Sequence, residues 1–378
     1  KTFLKKYINI DYLKIKNLKK LQKEFINNSS IRLQEFLNKS LYHKILSKII
    51  IIDHFHDKLG KGKPSLDYTI GIKDGWNVLG PAHKRRYLSY QPLSSSESSD
   101  SVYAEVGKLL DQLKTELFTH PAFVKFLSMI TTIDVIKGIR SEVRRFRPGF
   151  DYTVAHYGII TREPWLDINL CFVNDDKEVE EQIIQSYEDS EGNNKKDNKK
   201  RKKENKKISL KSLKKKKTSA KQQARDNDDD DNEEEEEVNE KGEGEDDGYA
   251  SDYGDLWEDG DVGGFECFIE ADNDADDAEA AEVYRQKKDG EEGGGEAEDD
   301  TTLLSLSAYS NALSLVLRDE GIMKFVKYVS ANAPGSRWDV SAEYQIEHQN
   351  DEDDEDDDDE EDENEDGDDD EKDEEEED

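Results

Sequence analysis

The sequence predicts a mostly β fold with helices, namely an antiparallel barrel or jelly roll that follows a helical segment and carries long charged stretches. Three observations predict it. Apolar residues recur at helical spacing over residues 12–52. Beyond residue 142, eight short segments rich in Val, Ile, Leu, Phe and Tyr are bounded by Gly, Pro, Asn or Asp. No long helical pattern separates them, which indicates antiparallel connections.

The charged residues concentrate in three stretches. Residues 195–221 hold 15 basic and two acidic side chains, and residues 226–247 hold 15 acidic and one basic. Residues 351–378 hold 25 acidic side chains and one lysine. With 33% apolar and 39% charged residues overall, much of the chain cannot bury enough apolar surface to fold. The net charge of -38 therefore describes appendages rather than the fold.

These stretches predict the domain organisation. The expected segments are a helical connector at 1–59, a β domain at 60–174 and 249–347, a disordered basic-then-acidic insert at 175–248, an acidic loop at 271–300 and a disordered acidic tail at 348–378. A long insert between two strands costs little, because loop closure adds only about 0.6 kcal/mol per doubling of length. The chain begins with Lys1 rather than Met, so we expect a fragment or a processed product.

The helical spacing of residues 12–52 predicts two amphipathic helices. Asn27–Ser30 interrupts the pattern with residues typical of helix caps, and Ile31–Leu37 is expected to continue the second helix. Pro121 is placed as the first residue of a later helix, where its missing N–H costs nothing. Further helices are predicted at 102–118 and 121–131, and loops at 60–75 and 91–101.

The eight apolar segments predict eight short strands. They are 143–147, 151–160, 166–173, 262–269, 303–307, 312–317, 323–329 and 337–346. Gly263 and Gly264 indicate a hairpin or bulge, or alternatively a strand that approaches a pocket closely.

Cysteine usage and hydropathy exclude several classes of protein. Cys171 and Cys267 are the only cysteines and do not form a CxxC pair, so neither a disulfide framework nor a cysteine-rich zinc site is expected. No window approaches 18 consecutive apolar residues, and no signal-peptide pattern opens the chain. We expect a protein of a reducing compartment that does not enter a membrane.

Four segments carry a resemblance to a known family. They are 75-GWNVLGPAHKRRYLSY-90, 119-THPAFVKFLSMITTIDVIKGIRSEVRRFRPGFDYTVAHYG-158, 263-GGFECFIEAD-272 and 312-ALSLVLRDEGIMKFVKYVSANAPGSRWDVSAEY-344. Together they resemble the C-terminal domain of the Fe(II)/2-oxoglutarate-dependent prolyl dihydroxylases, which act on a ribosomal protein in fungi and animals. Residues 2–46 resemble the helical connector between this domain and the catalytic one.

The resemblance implies a double-stranded β-helix that lacks the metal, called the degradation domain. In the parent protein it implies an N-terminal catalytic domain that uses Fe(II), 2-oxoglutarate, O2 and ascorbate for prolyl hydroxylation. The implied consequence is oxygen-linked control of translation, including its termination, and of partner stability. For this chain we expect no cofactor and no catalytic residue. The expected partners are its own catalytic domain, regulatory proteins and, indirectly, the ribosomal substrate.

The residues themselves test for an iron site, which needs two histidines and one carboxylate on one face of the metal. Laying the His-x-Asp, distal His and Arg pattern on the chain places His156, Gly158, Lys327 and Arg337 at the four positions. One ligand of three is present. An ammonium at about 4 Å would repel the metal by about 4 kcal/mol per unit of metal charge at an effective dielectric of about 20. We therefore expect a vestigial site without metal, since His348 lies on the wrong side of the pattern.

Three further groups have two interpretations each. The group 53-DHFHD-57 is either a metal cluster or, as favoured here, a solvated helix end. Arg337 either binds a ligand carboxylate or, as favoured, pairs with Asp339 or Glu343. The possible binding patch is His83, Lys84, Arg85, Arg86 and Tyr87. With Tyr90 and Trp76 nearby, it has the composition of a nucleic-acid surface, although ion pairing within the protein is favoured.

A basic run inside the insert predicts nuclear import. The run comprises Lys199, Lys200, Arg201, Lys202 and Lys203. The alternative is a solvated linker that pairs transiently with the acidic run from Asp226. We expect both nuclear and cytoplasmic localisation. Two other functions stay open: an active dioxygenase domain with different ligands, and an acidic chaperone for basic proteins.

The import prediction can be tested with a fluorescent reporter fused to residues 195–221. We expect nuclear accumulation, because receptor recognition of such runs depends on clustered positive charge. The control replaces Lys199, Lys200, Arg201, Lys202 and Lys203 with glutamine. A parent reporter that stays cytoplasmic would contradict the prediction.

Overall fold

Two antiparallel β-sheets and a layer of helices make up the part of the chain that the structure describes. This computed structural model describes residues 1–94, 99–133, 136–156, 163–190, 253–270 and 302–346. The expectation of a mostly β fold with helices is confirmed. Gly158, the basic run at 199–203, the predicted acidic loop and tail, and His348 lie outside the described residues.

Six α-helices lie within the described residues. They are α1 (Ile15–Asn28), α2 (Lys39–Ile51), α3 (Val102–Gln112), α4 (Pro121–Thr131), α5 (177–190) and α6 (Tyr253–Glu258). Short 3₁₀ turns lie at Leu4–Lys6 and Ile10–Leu13. Both α2 and α3 run directly into π-helical turns, Ile52–Asp57 and Leu113–Phe118 respectively. No helix in these ranges is long and apolar enough to cross a bilayer.

The strands form two sheets with antiparallel pairing throughout. The strands are β1 (Ser30–Leu33), β2 (Trp76–Leu79), β3 (Arg85–Tyr90), β4 (Ile136–Phe146), β5 (Tyr152–Thr153), β6 (Trp165–Phe172), β7 (Glu266–Glu270), β8 (Thr302–Leu306), β9 (Ala312–Arg318), β10 (Ile322–Val326) and β11 (Arg337–Ile346). The main sheet has the order β1-β9-β6-β11-β4-β3-β2, with β5 paired to β3. The small sheet has the order β10-β7-β8.

The main sheet has an apolar face and a polar face. On β6, Leu166, Ile168 and Leu170 belong to the large apolar core that includes side chains of α1 to α4. Since successive side chains of a strand point to opposite faces, Asp167 and Asn169 lie on the other face. All eight residues of β6 are buried, so both faces of the sheet are covered at this strand.

The predicted helix starts follow capping chemistry. Pro121 is the first residue of α4, as predicted, and the His120 side chain accepts a hydrogen bond from the Ala122 amide. Ser101 caps α3 by accepting from the Ala104 amide at 3.2 Å. Each contact satisfies an amide that has no partner within its helix.

The helical interpretation of residues 31–37 is wrong. Ser29 ends α1 in the left-handed region at φ 52°. The chain then forms β1, which pairs with β9 at the edge of the main sheet. The next helix begins after Asn38, whose side chain accepts from the Leu41 amide. Apolar residues at alternate positions fit a strand as well as a helix over so short a run. Through β1, residues 1–59 join the main sheet, and the described residues up to Ile346 form one compact unit.

The structure also contains elements that the sequence pattern did not predict. Strands β2 and β3 form a hairpin at the edge of the main sheet. Helix α5 occupies the first part of the insert expected to be disordered. It is held there by Glu180, which is buried and lies 2.7 Å from Lys61 Nζ. This ion pair, buried at Glu180 and partly exposed at Lys61, stabilises the folded position of the highly charged segment.

The interpretation of 53-DHFHD-57 as a solvated helix end is wrong for its carboxylates. Asp53 and Asp57 each lie 2.7 Å from a guanidinium nitrogen of Arg145, which is fully buried on β4. Asp53 also accepts hydrogen bonds from the Ser336 amide and hydroxyl. The Arg145 guanidinium lies 4.4 Å from the centre of the Trp338 ring. His54 and His56 point outward and are exposed.

Substitution of Arg145 by methionine tests this junction. Removing one member of a buried ion pair leaves its partners uncompensated, so we expect the free energy of unfolding to fall by about 3–5 kcal/mol. Urea denaturation followed by circular dichroism measures it. The exposed Arg140→Met on the same strand is the control, with an expected change within about 0.5 kcal/mol. Equal effects of the two substitutions would contradict a structural role for the Arg145 junction.

Candidate functional site

The small sheet covers part of the polar face of the main sheet, and polar contacts join the two. Asn169 of β6 donates a hydrogen bond to Glu266 of β7 at 2.8 Å. Lys324 of β10 lies 3.0 Å from Glu343 and 3.3 Å from Asp167. Side chains of both sheets therefore meet in a charged layer rather than an apolar one.

The first cluster in this layer centres on Asp339. Arg144 donates two hydrogen bonds to the two carboxylate oxygens, at 2.8 and 3.0 Å. Arg337 approaches one of the same oxygens at 3.2 Å and donates a further hydrogen bond to the Gly264 carbonyl. Burial alone would raise the pKa of Asp339, but attraction by Arg144 and Arg337 outweighs it, and the pKa is lowered. The Asp339 carboxylate is therefore ionised and paired with both guanidinium groups.

The second cluster lies further along the same strands. Arg318 donates to Asp167 at 2.7 Å, and Lys324 bridges Asp167 and Glu343. Burial disfavours the charged form of Glu343, yet the pKa of this carboxyl is lowered because Lys324 and Arg318 attract it more strongly. The clusters together balance the buried charge between the sheets.

Gly264 and its neighbour explain how the small sheet comes so close. The Gly263 backbone has φ +73°, and a Cβ there would lie 1.9 Å from the Tyr328 carbonyl oxygen. Gly263 forms an isolated bridge with Val329. These glycines thus permit close packing of the two backbones in the left-handed region. The two interpretations from the sequence, a hairpin or bulge and a strand that approaches a pocket, stay predictions. The close approach presents the Gly264 carbonyl to Arg337.

Three of the four positions of the iron pattern lie in the part of the chain that the structure describes. His156 follows β5 and borders a cleft described below. Lys327 is exposed, with its ammonium 5.7 Å from the centre of the Phe265 ring. Arg337 is engaged by Asp339 and Gly264, so its guanidinium is not available to a co-substrate carboxylate. Gly158 lies outside the described residues.

The side chains at this site do not fit Fe(II). Within the described ranges, no three His, Cys, Asp or Glu side chains converge as a metal site. The nearest carboxylates, Asp339 and Asp167, already face guanidinium groups at 2.8 and 2.7 Å. A ferrous ion would have to displace those cations from carboxylates whose charge they already compensate. The expectation of a metal-free domain stays a prediction.

A cleft opens on the polar face beside the charged layer, with a volume of about 650 Å³. We call it the basic cleft. Its walls carry two carboxylates, Glu142 and Glu343, against seven basic side chains: Lys84, Arg85, Lys114, Arg140, Arg144, Arg318 and Lys324. Serine, threonine and tyrosine hydroxyls complete much of the lining.

The side chains of the predicted patch at residues 83–87 lie on both sides of β3. Lys84, Arg85 and Tyr87 border the basic cleft. Arg86 instead donates to the Phe150 carbonyl and lies 3.6 Å from Asp151 on the opposite side. The aromatic rings expected to stack bases are inside the protein, since Tyr87 and Tyr90 are 3% and 2% exposed.

The sequence contains a signal of the charged layer, which a search for the spacing of metal ligands does not detect. Charged residues recur at every second position of β4, at Arg140, Glu142 and Arg144, although Ser141 and Arg145 stand among the positions of the other face. β11 repeats this with Asp339, Ser341 and Glu343. This alternation predicts a polar face. It does not predict which charges pair.

The fold and site define a class of protein, a two-sheet antiparallel domain with an ion-paired interior that does not fit a metal. Family comparison narrows the class. The sequence model described as "oxoglutarate and iron-dependent oxygenase degradation C-term" matches residues 1–353. The chain belongs to this family, and the predicted resemblance is confirmed.

Known proteins similar to this chain are prolyl hydroxylases. Prolyl 3,4-dihydroxylase OGFOD1 of Ostreococcus tauri is 27% identical over 341 residues, which is 90% of this chain and 48% of that protein. Prolyl 3-hydroxylase sudestada1 of Drosophila melanogaster is 54% identical over 39 residues, 10% of this chain and 7% of that protein. This chain therefore spans about half the length of the first relative, 48%.

A solved structure aligns over most of the chain. It is a prolyl hydroxylase from Trichoplax adhaerens in complex with a hypoxia inducible factor oxygen degradation domain peptide fragment. The alignment covers 88% of this chain and 94% of that one, with 10% identity and a TM-score of 0.37.

Substitution of Asp339 by asparagine tests the charged layer. Arg144 and Arg337 would lose their shared counter-charge, so we expect the free energy of unfolding at neutral pH to fall by about 3–5 kcal/mol. Because the pKa of Asp339 is lowered on folding, its stabilisation is present above the ordinary carboxyl pKa and is lost as pH falls through the folded pKa. The difference between the two proteins should therefore shrink in acid.

The control for this experiment is Asp319→Asn, at an exposed position after β9. Urea unfolding at several pH values should show little change for Asp319→Asn. A pH-independent loss for Asp339→Asn would indicate a steric effect and not the loss of charge compensation.

Proposed function

We propose that this chain is the noncatalytic, protein-interacting half of a prolyl dihydroxylase, built on a double-stranded β-helix. One observation carries the proposal. Asp339, a carboxylate in the middle of the polar face, is held between Arg144 and Arg337, so the interior that would receive a metal is closed by ion pairs. The similarity to proteins named prolyl hydroxylases supports the assignment of the parent activity.

The parent protein, in this proposal, hydroxylates a prolyl residue of a small-subunit ribosomal protein. It uses Fe(II), 2-oxoglutarate and ascorbate in a separate catalytic domain. The described chain docks against that domain and binds regulatory proteins, and it contacts the ribosomal substrate indirectly. Through these contacts it links oxygen to translation and to partner stability. The proposed locations are nucleus and cytoplasm.

Turnover of 2-oxoglutarate by the purified chain tests the noncatalytic assignment. With added Fe(II), ascorbate and O2, we expect succinate to form no faster than in buffer containing the same iron, because the described side chains do not fit the metal. An active prolyl hydroxylase assayed in parallel shows that the reagents work. Succinate formation that His156→Ala abolishes would establish an active dioxygenase and overturn the proposal.

A further inference from the structure

The basic cleft has a surplus of positive charge at its rim. At its floor, Arg144, Arg318 and Lys324 are balanced by Asp339, Asp167 and Glu343. The rim differs. Arg85 is exposed and donates its Nε hydrogen bond to the Gly80 carbonyl at 3.2 Å. Arg140 is exposed and lies 4.6 Å from the centre of the Trp165 ring. Both contacts are to neutral groups. Glu343 lies opposite Arg140 on β11, but its carboxylate is already paired with Lys324 at 3.0 Å, so the rim keeps an excess of positive charge.

This surplus stands out against the charge of the whole chain. The formal net charge is -38, so the long-range field repels anions. Apart from the basic stretch at 195–221, which lies outside the described residues, a cationic cleft in such a protein concentrates the attraction for a negatively charged partner in one place.

We propose that the basic cleft docks an acidic peptide segment of a partner protein, with carboxylates of the segment paired to Arg85 and Arg140. The inference deepens the proposed function and rests on it, since a docking cleft on this face requires that the face not be a reaction centre. It assigns the protein-binding role to a defined surface.

The dimensions and polarity of the cleft suit a peptide. Its volume of about 650 Å³ exceeds what one small anion fills and lies within the range of about 300–1,000 Å³ for ligand clefts. Hydroxyl groups of Ser89, Ser141 and Thr153 line it and can exchange hydrogen bonds with a peptide backbone. The rim arginines can each form the two-pronged contact that guanidinium makes with a carboxylate.

The same walls disfavour a nucleic acid. Single strands are held by stacking bases on aromatic rings, but Tyr87 and Tyr90 at this cleft are 3% and 2% exposed. Glu142 and Glu343 also line the cleft and would oppose a continuous row of phosphates. A peptide whose carboxylates alternate with uncharged residues avoids those two groups more readily.

Fluorescence anisotropy with the full chain tests the proposal. The probe is a fluorescein-labelled peptide of five Glu-Ser repeats, and a peptide of five Gln-Ser repeats is its neutral control. We expect saturable binding of the Glu-Ser peptide alone, weakening as salt is raised because exposed charges are screened. In the variant Arg85→Glu/Arg140→Glu, two attractions become repulsions, and we expect binding about tenfold weaker.

A matched variant separates the cleft from the global charge. Lys19→Glu/Lys23→Glu changes two exposed lysines on α1 and alters the net charge by the same amount. We expect it to bind the Glu-Ser peptide nearly as the parent chain does. Circular dichroism melting of both variants checks that each remains folded.

Several outcomes would overturn the cleft proposal. They are equal binding of the Glu-Ser and Gln-Ser peptides, equal weakening in the two double variants, or tighter binding of labelled oligouridylate that the Arg85→Glu/Arg140→Glu change removes. The succinate assay on the same preparation judges the proposed function separately. Absence of both turnover and peptide binding rejects the cleft alone, whereas turnover rejects the noncatalytic assignment.

Discussion

Compensation of buried charge between the two sheets is the constraint on which the rest of this structure depends. A buried guanidinium or carboxylate loses its hydration, and only a close partner offsets that loss. Arg144, Arg337 and Asp339 meet this requirement among themselves on the main sheet. Lys324 and Glu266 come from the small sheet, so the position of that sheet is fixed by the same requirement. The polar face is thus a structural element in its own right.

The opposite face obeys the same rule at one point. Among the apolar contacts between helices and main sheet, Arg145 is a fully buried cation whose partners come from the π-helical turn Ile52–Asp57. Hydrogen bonds that span one more residue than in an α-helix change the direction of the side chains, and π-helical turns are frequent at functional sites. Here the turn brings Asp53 and Asp57 onto one guanidinium. The helical segment before residue 59 is therefore locked to the β region by charge as well as by β1.

Local signals in the sequence were sufficient where one period dominated. Pro121 marked the start of α4, and the predicted strand 337–346 coincides with β11. At Ile31–Leu37 the apolar residues fit periods of both 2 and 3.6, and only pairing with β9 selects the strand. Long-range ion pairs could not be predicted from local sequence patterns, since Asp53 and Arg145 are 92 positions apart. Alternating charges in β11 are a signal from which a polar face could be predicted, but pairing on that face depends on register.

Charge compensation also explains why a change at one residue would not make these side chains fit Fe(II). A histidine at position 327 would supply a second imidazole, but Asp339 and Asp167 would still face Arg144 and Arg318 at 2.8 and 2.7 Å. If either carboxylate bound a metal instead, its arginine would stay buried without a counter-charge, which costs several kcal/mol of stability. Two further positive charges would then enter a layer that already holds Arg337 and Lys324. A ferrous centre that recruited Asp339 or Asp167 would therefore have to replace ion pairs on which the described fold depends.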